Sequence, residues 1–309
     1  MIRTVENMLS SGVIIGSLST LLFAIYQYFI LGEERVEGFL YSINFGYLAC
    51  SLALLSFCMM KGGKYSGILF ISFLASSVAT VLTLTRGAIF AIPLLLILAI
   101  ITRYKDFSIK KILLGIAMLV FATILSYEAS TDIRDRINYT TQEITNVANG
   151  NIAEAQSTGG RLELWKAASY SFIKSPIIGM TYSERTKLNK KLAKQGKIIK
   201  WVTTVKRGHA HNQYFEMLAS NGILGIVGFV SILFLPIYLF LSHYFRYGSL
   251  IGYTGGVFVA GFAIYGLTEV PLTANLIGAY YGFILATFLA IIRVEKYGNS
   301  LGIKTVNDQ

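Results

Sequence analysis

The chain has 309 residues, of which 54% are hydrophobic and only 14% charged. A soluble domain has no interior large enough to hide so much apolar surface, so these values exclude a water-soluble enzyme and indicate an all-α polytopic membrane protein. The formal charge of +11 does not point to nucleic acid, because lysine and arginine collect at the ends of membrane spans and no nucleic-acid motif is visible.

Apolar runs long enough to cross a bilayer occur at roughly Ser11–Leu31, Phe39–Met60, Tyr65–Thr85, Gly87–Thr102 and Ile112–Tyr127. Three more follow at Gly222–Leu241, Ser249–Leu267 and Leu272–Ile292, which makes about eight transmembrane helices. The first run lacks a small-residue cleavage site and reads as a retained span. Cys50 and Cys58 share the second run and lie too far apart along a helix to pair. Disulfides and thiolate metal sites are therefore not expected.

Between the fifth and sixth runs lies a hydrophilic stretch, Glu128–His211, far too long for a simple connector. It divides the chain into five spans over 1–127, a large loop over 128–211, and three spans with a short tail over 212–309. Charge sets the orientation. With the N-terminus inside, the short inner segments carry Arg3, Lys61, Lys64, Arg103, Lys105, Lys110, Lys111, Arg246, Arg293, Lys296 and Lys304, and the short outer segments only Arg35 and Arg86. That bias follows the positive-inside rule and puts the large loop outside.

Two loop stretches read as amphipathic helices that lie on the membrane or cap the bundle. Ile133, Ile137, Ile144 and Val147 recur at helical spacing in the first. Leu162, Trp165, Ala168, Ser169, Phe172 and Ile173 do so in the second, which ends at Ser175-Pro176. A basic run follows, with Arg185, Lys187, Lys190, Lys191, Lys194, Lys197 and Lys200. It is either a solvated helix face or a collar that attracts anionic head groups.

The expected topology brings four polar residues from separate regions to the outer face. Arg86 interrupts apolar sequence in Leu82-Thr83-Leu84-Thr85-Arg86-Gly87-Ala88. Placing an arginine near the centre of a span costs about 2.5–3.5 kcal/mol. It is either a snorkelling residue at a tight turn or a phosphate ligand whose planar fork suits bidentate contact. Arg161 follows Gly159-Gly160 and reads as opening the second loop helix, where backbone N–H groups favour an anion. The alternative is an ordinary exposed arginine. His211, in Gly208-His209-Ala210-His211-Asn212, ends the loop and opens a helix that runs into a span. A neutral imidazole there can take a proton from a sugar hydroxyl; structural packing and a His209-x-His211 metal pair are the alternatives. Zinc would need further ligands, so no metal and no cofactor are expected. Glu269, between two apolar runs, is either a bland turn residue or an acid that orients His211 or meets an acceptor sugar.

Three motifs carry a family resemblance: Thr85-Arg86; Gly160-Arg161-Leu162-Glu163-Leu164-Trp165 running on to Ser175-Pro176-Ile177-Ile178-Gly179; and His211-Asn212 followed by Gly222 and Gly225. In this order, over Ser66 to Ile292, the chain resembles bacterial O-antigen ligases and, more loosely, O-antigen polymerases. The resemblance implies a glycosyltransferase at the periplasmic face of the bacterial inner membrane. Such a protein moves a polysaccharide from undecaprenyl pyrophosphate to a hydroxyl of lipid A–core, with no nucleotide sugar and no required metal. It further implies that Arg86 and Arg161 hold the pyrophosphate and that His211 activates the acceptor hydroxyl. Asn212 and Glu269 join them as substrate-binding residues. Family members usually carry more spans, so several N-terminal ones have no counterpart here. The lysine run before His211 favours the ligase branch over the polymerase, which instead joins lipid-linked repeats. A non-enzymatic transporter of lipid-linked glycan is the alternative from another class. It is disfavoured because transporters place ionisable groups at the midplane of two related halves, and no halves are evident.

Overall fold

In lipid a backbone must satisfy its own N–H and C=O groups, which leaves helices or closed barrels. Helices are what these apolar runs form in the computed structural model, which describes residues 2–60, 65–103, 128, 131–151, 156–205 and 209–300. In chain order they are α1 (Ile2–Ile25), α2 (Ser42–Met59), α3 (Ser66–Leu82), α4 (Arg86–Thr102), α5 (Thr131–Ala148), α6 (Gln156–Lys174), α7 (Tyr182–Lys194), α8 (Gln213–Tyr247), α9 (Leu250–Tyr265) and α10 (Asn275–Ser300). No strand occurs among the described residues.

Among the described residues, four segments are long and apolar enough to cross a membrane: Thr4–Ile30, Ser42–Met59, Gln213–Tyr247 and Asn275–Gly298. The apolar helices Ser66–Leu82, Arg86–Thr102 and Leu250–Tyr265 are shorter. At 1.5 Å per residue a 17-residue helix reaches about 25 Å, against about 30 Å of hydrocarbon. The expected span over Ile112–Tyr127 lies outside the described residues.

The chain divides into two units: Met1–Ile112 with Leu233–Tyr265 and Pro271–Gln309, and Leu113–Ile232 with Gly266–Val270. In the first, α2 is the most enclosed helix, with Phe45, Ala49, Cys50 and Ala53 fully buried. Lipid tails are as apolar as leucine, so small residues and interhelical hydroxyl bonds do the joining. Ser17 meets Ser56 at 3.2 Å, and Ser51 meets the Tyr280 hydroxyl at 3.0 Å. A Cβ on Gly252 would approach the Phe240 carbonyl oxygen at 2.8 Å, so α8 and α9 pack backbone to backbone there. Outward-facing Ile71, Phe90 and Ile97 are more than half exposed, as suits a lipid-facing surface.

The second unit holds α5, α6, α7 and the start of α8. The second loop helix forms, but the face it buries is not the expected one. Glu163, Leu164, Ala167, Ala168 and Ser171 are buried, whereas Ile173 is 72% exposed. Two polar residues are welcome on that face because both are satisfied: the Glu163 carboxylate accepts the Ile199 N–H at 3.0 Å, and the Ser171 hydroxyl donates to the Ala167 carbonyl. Leu164 and Ala167 then pack with Leu192 of α7, Ile198 and Val202. Gly160 faces the Trp201 ring so closely that a Cβ would lie 2.9 Å from it. The glycine of the Gly-Arg motif is thus a packing requirement.

Candidate functional site

The third motif begins at a helix start. Asn212 caps α8: its Oδ1 accepts the N–H groups of Tyr214 at 2.9 Å and Phe215 at 3.1 Å. Its Nδ2 donates to the Leu267 carbonyl at 2.9 Å, and the Gln213 N–H donates to that of Gly266 at 2.7 Å. These bonds tie the start of α8 to the segment that carries Glu269.

The second and third motifs also meet. At Gly222, φ is 63° and ψ is −152°, a conformation open essentially to glycine alone. The kink frees backbone groups that the second motif takes up. The Ile223 N–H donates to the Pro176 carbonyl at 2.8 Å, and the Met180 N–H donates to that of Ala219 at 2.9 Å. A Cβ on Gly222 would collide with the Pro176 and Ile177 carbonyl groups. Farther up α6, the Trp165 ring stacks on Phe215 with centroids 5.3 Å apart.

His211 stands just before this cap with φ of 47°, in the left-handed region that costs a residue with a Cβ about 1–2 kcal/mol. Its Nδ1 lies 2.9 Å from Glu269 Oε2. Glu269 is 4% exposed, and its other oxygen accepts the Val270 N–H at 3.0 Å. Burial pushes the Glu269 carboxyl up. The His211 hydrogen bond, the charges of His211 and His209, and the Val270 N–H outweigh it and hold the carboxyl below its ordinary value. An ionised carboxylate only accepts, so the proton between them belongs to His211 Nδ1, and whenever the ring is neutral its lone pair falls on Nε2. The His211 side chain is 26% exposed.

His209 is close by. Its Nδ1 accepts the His211 N–H at 3.3 Å and lies 3.7 Å from Glu269 Oε1, an electrostatic contact rather than a hydrogen bond. His209, His211 and Glu269 could each offer one ligand atom to a metal ion, all within 4.8 Å of one another. The third member, Glu269, enters from a segment 58 residues beyond His211.

Arg161 does not open its helix. α6 starts at Gln156, five residues earlier, and two of its first N–H groups are already occupied. The buried Glu143 carboxylate accepts the N–H of Ser157 at 2.5 Å and of Thr158 at 3.2 Å. A carboxylate from α5 thus fills the place proposed for an anion, and Arg161 lies in the second turn. It is half-buried, and no hydrogen bond or ion pair engages it among the described residues.

Arg86 belongs to the first unit, as the opening residue of α4. The turn before it is braced from the α1–α2 connection. Arg35 donates through Nε to the Thr83 carbonyl at 2.9 Å and through Nη2 to Thr85 Oγ1 at 3.4 Å. Thr85 Oγ1 in turn donates to the Ser42 carbonyl at 3.0 Å, and Leu84 takes φ of 51°. A cation at a helix N-terminus opposes the dipole by about 0.3–1 kcal/mol, so helix stability does not explain an arginine at that place.

The basic run is not uniform. Lys187, Lys190, Lys191, Lys194, Lys197 and Lys200 are exposed, but Arg185 is 6% exposed and paired with Glu216. A sequence signal for this existed. Thr181 and Glu184 form a capping box that sets the start of α7, and Arg185, Leu188 and Leu192 then share one helical face.

A protein built this way, with apolar spanning helices and an imidazole–carboxylate pair on a helix cap, is a multi-pass membrane protein with a polar site in its loop unit. The O-antigen ligase family model matches residues 71–230, and the chain belongs to that family. It is similar to an uncharacterized protein of Haemophilus influenzae, 26% identical over 228 residues, which cover 71% of this chain and 56% of that protein. It is also similar to the O-antigen ligase of Escherichia coli K12, 27% identical over 167 residues, covering 53% of this chain and 38% of that protein. The aligned part is thus about half the length of these relatives or less.

Proposed function

We propose that the protein is an O-antigen ligase-type glycosyltransferase that moves a glycan from undecaprenyl pyrophosphate to a hydroxyl of lipid A–core. The observation that carries the reading is the Glu269–His211 contact of 2.9 Å, which leaves Nε2 as the basic atom. In the reaction, His211 Nε2 takes the acceptor hydroxyl proton as the oxygen bonds to the anomeric carbon. The bond from that carbon to the pyrophosphate oxygen breaks, and the leaving group departs with the electron pair. Attack opposite the leaving group inverts the anomeric centre. A positioned base contributes about 10²–10⁴-fold.

Arg161, with no hydrogen bond or ion pair among the described residues, and Arg86, at a helix start that disfavours it, are the two guanidinium groups assigned to the growing pyrophosphate charge. Asn212 acts by holding His211, since both ends of its amide are engaged. The proposed setting is the bacterial inner membrane, with eight spans and the loop of residues 128–211 on the periplasmic side.

Proteoliposomes supplied with the lipid-linked glycan and lipid A–core test this. Transfer to lipid A–core, lost in His211→Ala protein that still inserts, is the expected result. Elongation of the lipid-linked chain alone would transfer the protein to the polymerase branch, and lipid movement without any transfer would make it a transporter. The three ligand atoms within 4.8 Å favour a second reading, a divalent-cation site. That reading requires His209→Ala to be as damaging as His211→Ala and a chelator to abolish transfer. The base reading predicts that His209→Ala retains most of the activity.

A further inference from the structure

Next to the His211–Glu269 pair lies a second buried ionic cluster. Arg185 of α7 forks onto Glu216 of α8, with Nη1 2.5 Å from Oε1 and Nη2 3.2 Å from Oε2. Ser220, one turn on, accepts from Arg185 Nη1 at 2.6 Å and donates to Glu216 Oε1 at 2.7 Å. The remaining acceptor direction on Oε2 takes the Ala210 N–H at 2.8 Å. Ala210 is 1% exposed and immediately precedes His211.

We propose that Arg185, Glu216 and Ser220 are positioning residues that hold the backbone at Ala210 so that His211 keeps its left-handed conformation and its ring stays on Glu269. The inference rests on the proposed role of His211 as the base. His211 is pinned from both sides: Glu216 grips the peptide before it, and Asn212 caps α8 after it. A left-handed residue with a Cβ persists only where its surroundings over-determine it. The arginine acts through the carboxylate. Its two-pronged contact fixes the Glu216 plane, and that plane aims Oε2 at the Ala210 N–H; a lysine has no fork to do this. Arg185 is thereby withdrawn from the basic surface of α7.

Two variants test the device in the same proteoliposome assay. Glu216→Gln preserves shape but turns one acceptor into a donor, so both prongs of the Arg185 fork and the Ala210 N–H can no longer all be met. Arg185→Met/Glu216→Met replaces the pair with apolar groups of similar size, a change that buried ion pairs commonly tolerate in stability, and deletes the acceptor altogether. The expected result is a fall in kcat of about tenfold for the first and about 10²-fold for the second, the scale of a 1 Å misplacement. Donor KM stays within about twofold, because a merely loosened fold would not confine the loss to kcat. Wild-type kcat in Glu216→Gln overturns the proposal, and so does a loss carried in KM alone. If the double variant does not fold, Glu216→Gln decides. His211→Ala is assayed alongside: full transfer in that variant sinks the base reading itself, whereas an inactive His211→Ala beside a fully active Glu216→Gln sinks only the positioning device.

Discussion

Replacing Glu269 with glutamine removes one charge and nothing else of size, and the local geometry dictates the consequence. The carboxylate accepts from His211 Nδ1 at 2.9 Å through one oxygen and from the Val270 N–H at 3.0 Å through the other. A glutamine has a single oxygen. Turned to His211, it sets its NH2 against the Val270 N–H, two donors in a buried place. Turned the other way, it offers NH2 to His211 Nδ1, which must then accept, and the ring proton moves to Nε2. That second arrangement protonates the atom assigned to take the acceptor's proton. A wrong tautomer in the serine-protease triad costs about 10⁴-fold, and a positioned base as such contributes about 10²–10⁴-fold. Glu269→Gln should therefore lower kcat by about 10²–10⁴-fold, or about 3–5 kcal/mol of barrier. The assay is single-turnover transfer to lipid A–core in proteoliposomes, with insertion checked by protease protection of the loop. A Glu269→Gln protein with wild-type kcat would refute the reasoning, because no glutamine there can meet both neighbours and leave Nε2 unprotonated.

The remaining expectations concern stability, binding and pH. Gly222→Ala meets both a glycine-only backbone and the Pro176 and Ile177 carbonyls. It should cost about 1–3 kcal/mol from the backbone alone, read as a lower thermal midpoint in detergent. Gly160→Ala crowds the Trp201 ring and should cost about 1–3 kcal/mol by overpacking, read in the same melt. Glu143→Ala leaves the first N–H groups of α6 without their carboxylate. About 1–3 kcal/mol is expected, and proteolysis of the loop unit should accelerate. The Glu269 carboxyl is depressed in the folded state, so its contribution is fully present above its ordinary value of 4.5 and is lost as pH falls through the folded value. The stability difference between wild type and Glu269→Gln should shrink as pH drops below about 4.5, measured by thermal melts across that range. Arg161→Lys keeps the charge and loses the fork, so transfer should fall while insertion does not, scored by product formation at saturating acceptor.

Composition and hydropathy were enough to declare a helical membrane protein, because the need to satisfy the backbone in lipid admits few other solutions. The order of the motifs was enough to name the family. That a helix begins where the loop ends was legible too, because the polar stretch stops at His211 and an apolar run follows. Register on a helix was less legible: α6 buries Glu163, and no count of apolar residues anticipates a polar residue whose partner, here the Ile199 N–H, arrives from elsewhere. The start of α6 was misplaced for the same reason, because the carboxylate at its first turn is that of Glu143 on α5. Arg185 looked like one cation among seven until its carboxylate, 31 residues away, was in view. Local structure is set by neighbours along the chain, whose identities are written in order. Which imidazole meets which carboxylate depends on contacts between distant segments, and only the folded chain brings Glu269 to His211.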